Sequence, residues 1–204
     1  MTIRLHQGDL PADYRPGPAV AIDTETLGLN PHRDRLCLVQ LSAGNGEADL
    51  VRIAPGQTAA PNLQALLADG AVTKLFHFAR FDMAILRQTF GVMPGPVYCT
   101  KIGSKLARTY TDRHGLKDLA RELLGVEISK QQQSSDWGAD TLTDAQMAYA
   151  ASDVLHLHKL RDRLDAMLAR EGRLDLARAC CGFLSTRVAL DLAGWAETDP
   201  FSHM

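Results

Sequence analysis

The sequence predicts an α/β protein: a mixed five-stranded sheet flanked by helices, in one domain over residues 1–204. Three observations predict it. Strand-like apolar runs cluster early in the chain and are joined by short turns. Further on, apolar runs of strand and helix period alternate. The chain has 204 residues and is 46% hydrophobic, enough to bury one sizeable core. Short links favour antiparallel neighbours, whereas strand–helix alternation favours crossovers and parallel pairing, so the sheet should contain both.

Residues 20–26, 36–42 and 49–53 read as the first three strands. The links carry Gly28-Leu29-Asn30-Pro31 and Gly44-Asn45-Gly46, residue types that turn the chain tightly. A helix follows near residues 62–68, then a strand at 73–78. The next helix opens at Asp82, with Met83, Ile85, Leu86 and Phe90 leaning to one side. A short strand at 97–100 leads into helices. Residues 143–168 read as one long helix, because Thr143-Asp144-Ala145-Gln146 has the form of a capping box and the apolar period continues beyond it. A last helix over residues 174–195 carries Leu174, Leu176, Ala177, Cys180, Cys181, Phe183, Leu184, Val188, Leu190, Leu192 and Trp195. These spread wider than the stripe needed to dock on one core, which predicts packing or oligomerisation through this helix.

Bulk properties narrow the function. A formal net charge of −2 and a pI near 6.4 argue against gripping long nucleic acid through many phosphate contacts. Cys37, Cys99, Cys180 and Cys181 form no CxxC pair, so they read as small buried residues in a reducing compartment. The first residues lack the basic-then-apolar pattern of a signal peptide, and no uncharged stretch reaches the ~18 apolar residues of a membrane span. The expectation is a cytoplasmic protein without membrane contact.

The chemistry begins at Asp23-Thr24-Glu25. Side chains alternate along a strand, so Asp23 and Glu25 share one face a single pleat apart. Two carboxylates so placed repel, and a hard divalent cation with oxygen ligands is the economical remedy. Downstream, Asp82 falls in the first turn of its helix. Tyr149 and Asp153, four apart, share one face of theirs. Each signal has an ordinary structural explanation taken alone: a solvated strand exit, a dipole-favoured Asp, a surface pair.

Taken in order, Asp-x-Glu, Asp and Tyr-x-x-x-Asp resemble the motifs of the DEDD 3′-to-5′ exonucleases, and position 149 matches the Tyr branch of that group. The segment Lys130-Gln131-Gln132-Gln133-Ser134-Ser135-Asp136-Trp137 and the stretch from Leu142 to Val154 are similar to the ribonuclease D family. The resemblance covers roughly residues 19–168. The family often has Arg-Pro after the Trp, whereas this chain has Gly138-Ala139-Asp140, and too few residues follow Leu168 for an accessory module. The match is therefore to the short, single-domain ribonuclease D-like enzymes, the nano-ribonuclease C type.

That resemblance implies a ribonuclease H-like 3′-to-5′ exonuclease fold and two divalent cations per site, Mg²⁺ or Mn²⁺. Asp23, Glu25, Asp82 and Asp153 would hold the ions, and Tyr149 would orient the attacking water. It implies short single-stranded RNA as substrate, dinucleotides included, and a homo-oligomer larger than a dimer, rings among the known assemblies. Thr24, Thr26, Leu27, His77, Lys101, Lys105 and Arg108 are the expected substrate contacts, with Leu27 as a wedge between bases and the basic stretch from Lys101 to Arg121 at the 5′ phosphate. Three other readings compete. Ribonuclease D-like trimming of tRNA 3′ ends is the nearest. A phosphatase of the haloacid-dehalogenase type would leave Tyr149 and Asp153 unexplained. A catalytically dead nucleic-acid-binding adaptor should have lost a carboxylate, yet all four are present.

Overall fold

A computed structural model describes residues 2–129 and 131–203; Lys130, which opens the ribonuclease D-like segment, lies outside the described residues. The strands are β1 (Thr2–Gln7), β2 (Ala19–Thr26), β3 (Leu36–Ser42), β4 (Glu47–Arg52), β5 (Thr73–Phe76) and β6 (Val97–Cys99). They form one mixed sheet in the order β1-β4-β3-β2-β5-β6. The central meander β2-β3-β4 is antiparallel, while β1 joins β4, and β5 and β6 extend from β2, in parallel.

The sheet has six strands where five were expected. The addition is β1, whose residues are mostly exposed and which sits at the sheet edge, so it lacks the apolar run that marks a buried strand. It is anchored by Arg4 and His6, which reach Asp49 on β4 at 2.8 Å each.

Helices cover both faces. The apolar side of α2 (Ala79–Phe90) and the stripe Cys181, Leu184 and Val188 of α7 (Leu174–Leu190) pack with Val20, Ile22, Val39 and Phe76, joined by α1 (Pro61–Ala68). On the other face, α5 (Asp144–Leu155) and α6 (Leu157–Arg170) lay Ala151, Val154, Leu157, Leu160, Leu164 and Leu168 over Ala19, Ala21 and Leu75. Short α3 (Thr100–Ala107) and α4 (Leu116–Leu119), the latter continued by a π-helical turn over Ala120–Leu124, complete this side. The alternation along β2 does the sorting: Val20 and Ile22 face α2, and Ala19 and Ala21 face α6.

Two helices differ from expectation. The long helix of residues 143–168 is two, broken at His156 (φ −108°, ψ −7°), which lets the second half turn onto the sheet. The apolar period runs through the break, so no sequence signal announces it. The expected capping box is present: Thr143 Oγ1 accepts from the Gln146 backbone N–H, and Gln146 Oε1 accepts from the Thr143 N–H at 2.9 Å. The last helix ends at Leu190 and passes into a π turn, Asp191–Trp195, containing Gly194 at φ 103°. Its buried residues Ala177, Cys181, Leu184 and Val188 form one stripe, leaving Leu176, Phe183 and Trp195 exposed. Among the described residues, no helix is long and apolar enough to cross a membrane.

Candidate active site

The outer end of β2 carries the site. Asp23 and Glu25 continue the face of Ala19 and Ala21, so both project toward α5, where Asp153 meets them. One carboxylate oxygen from each of Asp23, Glu25 and Asp153 lies within 4.8 Å of the other two. Burial first, then the charges of Asp82, Asp153 and Glu25, pushes the Asp23 carboxyl well above its ordinary range. Glu25 is pushed up to about 9, by burial and then by Asp153 and Asp82. Acids packed this tightly fit a divalent cation: oxygen-only donors, convergent, each favouring the ionised form once a cation arrives.

Asp82 stands apart from that trio. It is buried in the first turn of α2, and its Oδ1 accepts a 2.7 Å hydrogen bond from Thr24 Oγ1. Burial raises it to about 7, and the Thr24 bond partly opposes the rise. Thr24, next along β2, gives its hydroxyl to Asp82 and also lines the cleft onto which Asp23 and Glu25 open.

Tyr149 shares the helix face of Asp153 and donates its hydroxyl to that carboxylate. Burial, followed by the charges of Asp153, Glu25 and Asp23, raises its phenol strongly, so it stays protonated at neutral pH and acts as a donor. Its ring packs 6.0 Å from that of buried Trp137, which holds it from behind.

These groups open onto a cleft of about 320 Å³, lined also by His77, Phe78, Lys101, Lys117, Ser129 and Gln133. Larger hollows, of about 340, 420, 430 and 580 Å³, lie elsewhere, and among the described residues none of them holds such a carboxylate cluster. Chemistry, not size, singles out the smaller one. His77 Nδ1 lies 2.9 Å from Thr100 Oγ1, whose own proton goes to the Phe76 carbonyl at 3.1 Å; Nδ1 is therefore the donor of that pair. Lys101 reaches the cleft with Nζ 4.3 Å over the Phe78 ring.

Other expected contacts fall elsewhere. Arg108 is fully buried: it bonds Ser104 Oγ at 2.9 Å, the Arg113 carbonyl at 2.7 Å and the carboxylate of Glu122. It braces the loop after α3, and its place among the substrate contacts is corrected; a charged residue three after an exposed Lys105 gives no sequence sign of burial. Lys105 is exposed on α3 outside the cleft lining. Thr26 Oγ1 donates to the Gly28 carbonyl at 2.5 Å and shapes the turn after β2. Leu27 is 53% exposed beyond the carboxylates, against Gly138, where a Cβ would stand 2.8 Å from Leu27 Cδ2.

Phe78 was missed. It precedes α2 with φ 68° and ψ 47°, the left-handed region that a bulky side chain seldom adopts, and its ring forms part of the cleft wall. The sequence His77-Phe78-Ala79-Arg80 carries no glycine to flag that turn.

Comparison with known proteins agrees with this geometry. Residues 9–169 match the family model described as 3′-5′ exonuclease. Brucella melitensis NrnC bound to pGG is 61% identical, with a TM-score of 0.97 and full coverage of both chains. The same protein with bound Mg²⁺ is 60% identical, with a TM-score of 0.96 and the same coverage. Ribonuclease D of Acidiphilium cryptum is 41% identical over 158 residues, 78% of this chain and 40% of that protein, so the chain spans about two fifths of that relative. The chain belongs to the 3′-5′ exonuclease family. Within it, the chain is of the short ribonuclease D-like kind that NrnC represents.

Proposed function

We propose that this chain is a 3′-to-5′ exoribonuclease that degrades short single-stranded oligoribonucleotides, dinucleotides included, to mononucleotides in the cytoplasm. The observation that carries it is the convergence of Asp23, Glu25 and Asp153 on one wall of a small cleft. The Mg²⁺ and pGG bound in structures of the similar NrnC support the cation and the short substrate.

Asp23, Glu25 and Asp153 would hold two divalent cations, and Asp82 would complete the shell, directly or through water. When bound, such ions polarise the scissile phosphate and acidify water beside it. Tyr149, protonated and braced by Trp137, holds the attacking water in line by a hydrogen bond and takes no proton from it. Lys101 and Lys117 offer positive charge to a terminal phosphate, and Leu27 caps the base at the open end. His77 holds the sugar.

The charge distribution favours a pocket over a track. A long track needs many phosphate contacts, whereas among the described residues this acidic chain brings Lys101 and Lys117 to the cleft. The test is cleavage of 5′-labelled RNAs of two to ten nucleotides against a structured tRNA precursor, with and without EDTA. Dinucleotides should be cut at least as fast as longer RNAs, and only with the metal present. Preference for the precursor would assign the ribonuclease D-like trimming activity instead, and absence of any cutting would leave a binding adaptor.

A further inference from the structure

Gln40 is fully buried in the middle of β3, yet neither its amide nitrogen nor its carbonyl oxygen has a hydrogen-bond partner. Leaving one buried amide unpaired costs on the order of 1–3 kcal/mol, so such a group calls for an explanation. Its position supplies one. Gln40 is paired across the antiparallel ladder with Asp23, and directly opposed residues point to the same face with Cβ atoms roughly 4.5–5.5 Å apart. Opposite on the other side is Leu50. Of the four diagonal neighbours, Ala21 and Ala48 are apolar, Arg52 is committed to the carbonyls of Ala139 and Asp140, and Glu25 is a second carboxylate of the cluster. The next residue on the same face of β3, Ser42, gives its hydroxyl to the Glu47 carbonyl at 2.7 Å. Above lies α5, whose buried Ala150, Ala151 and Val154 offer no side-chain acceptor and whose buried Gln146 is engaged with Thr143 and the Asp136 carbonyl. Of the clustered carboxylates, that of Asp23 stands directly opposite the amide, and Glu25 is diagonal to it.

We propose that Gln40 is a positioning residue for Asp23, its amide N–H donating to the Asp23 carboxylate when that carboxylate is ionised and holding a cation. The inference rests on the carboxylate cluster being a metal site. A ligand carboxylate gains from a fixed orientation, and partners behind metal ligands are typically worth 10–100-fold in affinity. Thr24 already does this for Asp82 on the opposite face of the sheet; Gln40 does it for Asp23. An amide whose partner is the cation-holding carboxylate contributes when the metal is bound and costs when it is not, so its removal should affect the two states in opposite directions.

The experiment is Mn²⁺ titration by calorimetry and thermal melting in EDTA for the wild type, Gln40→Met and Gln40→Leu. Both variants should bind Mn²⁺ 10–100-fold more weakly, while their metal-free melting temperature equals or exceeds that of the wild type, because an apolar group of similar size replaces an unpaired amide. Unchanged Mn²⁺ affinity in the variants would overturn the role of Gln40 and leave the metal site standing. A lowered metal-free melting temperature in both would mark Gln40 as structural and overturn it too. Failure of the wild type to bind Mn²⁺ would overturn the metal site, and the proposal with it.

Discussion

At the scale of single residues, the carboxylates are placed against their own stability. Glu25 is pushed up to about 9 and Asp82 to about 7, so in the metal-free fold both bind protons that the unfolded chain has already released. Stability held by the protonated forms is full below the ordinary carboxylate range and is lost as pH rises through 7 and toward 9. In EDTA, the melting temperature should therefore fall from pH 6 to pH 9, Glu25→Gln should flatten that slope, and Mg²⁺ should oppose it. A melting temperature independent of pH in EDTA would contradict this. Asp23→Ala, Glu25→Ala and Asp153→Ala should each abolish turnover while preserving the metal-free melting temperature or raising it, since each removes a repelling charge. Near wild-type turnover in any of them would refute the assignment. Tyr149→Phe keeps the ring on Trp137 and loses the hydroxyl; turnover should drop on the order of 10²-fold with Mn²⁺ affinity nearly unchanged, as steady-state kinetics beside calorimetry would show.

At the scale of elements, the site joins the end of one strand to a single helix face. β2 presents Asp23 and Glu25 because its period of two puts both on the same face, toward the cleft. α5 presents Tyr149 and Asp153 because they are one turn apart. The start of α5 is fixed by the Thr143–Gln146 capping box, so Thr143→Ala should cost about 1 kcal/mol in denaturant unfolding. It should lower kcat as well, since fraying would reach toward Tyr149; an unchanged stability would show the cap to be dispensable. Leu27 and Gly138 form the second element-scale pair. A Cβ at position 138 must move the Leu27 tip, so Gly138→Ala should raise KM for dinucleotides while the melting temperature holds, if Leu27 caps the base. An unaltered KM would remove Leu27 from the pocket.

At the scale of the whole molecule, α7 buries one stripe and leaves Leu176 and Phe183 outside, with the Phe183 ring 5.8 Å from that of exposed Phe201. We expect a homo-oligomer larger than a dimer that covers this face, and light scattering on dilute protein is the measurement. An active 22.3 kDa monomer would sink that expectation. Phe183→Glu should shift the assembly toward smaller species if the face is a subunit contact.

The fold class and the convergence of the carboxylates were legible because they rest on local periodicity. Alternation put Asp23 and Glu25 on one face, the four-residue spacing did the same for Tyr149 and Asp153, and motif order tied them together. What depended on distant packing was not legible. Arg108 and Lys105 look alike as charged residues after β6, and only the approach of Glu122 and Arg113 makes one an interior brace while the other stays in water. The edge strand β1 has too little apolar content to mark itself, and the break at His156 is set by the sheet beneath it. Phe78 holds a left-handed backbone and Gln40 lies unpartnered beside Asp23 because surrounding elements impose both. The sequence by itself determined which residues share a face; only the tertiary structure decided which faces meet, because burial and hydrogen-bond partnering are properties of residues far apart in the chain.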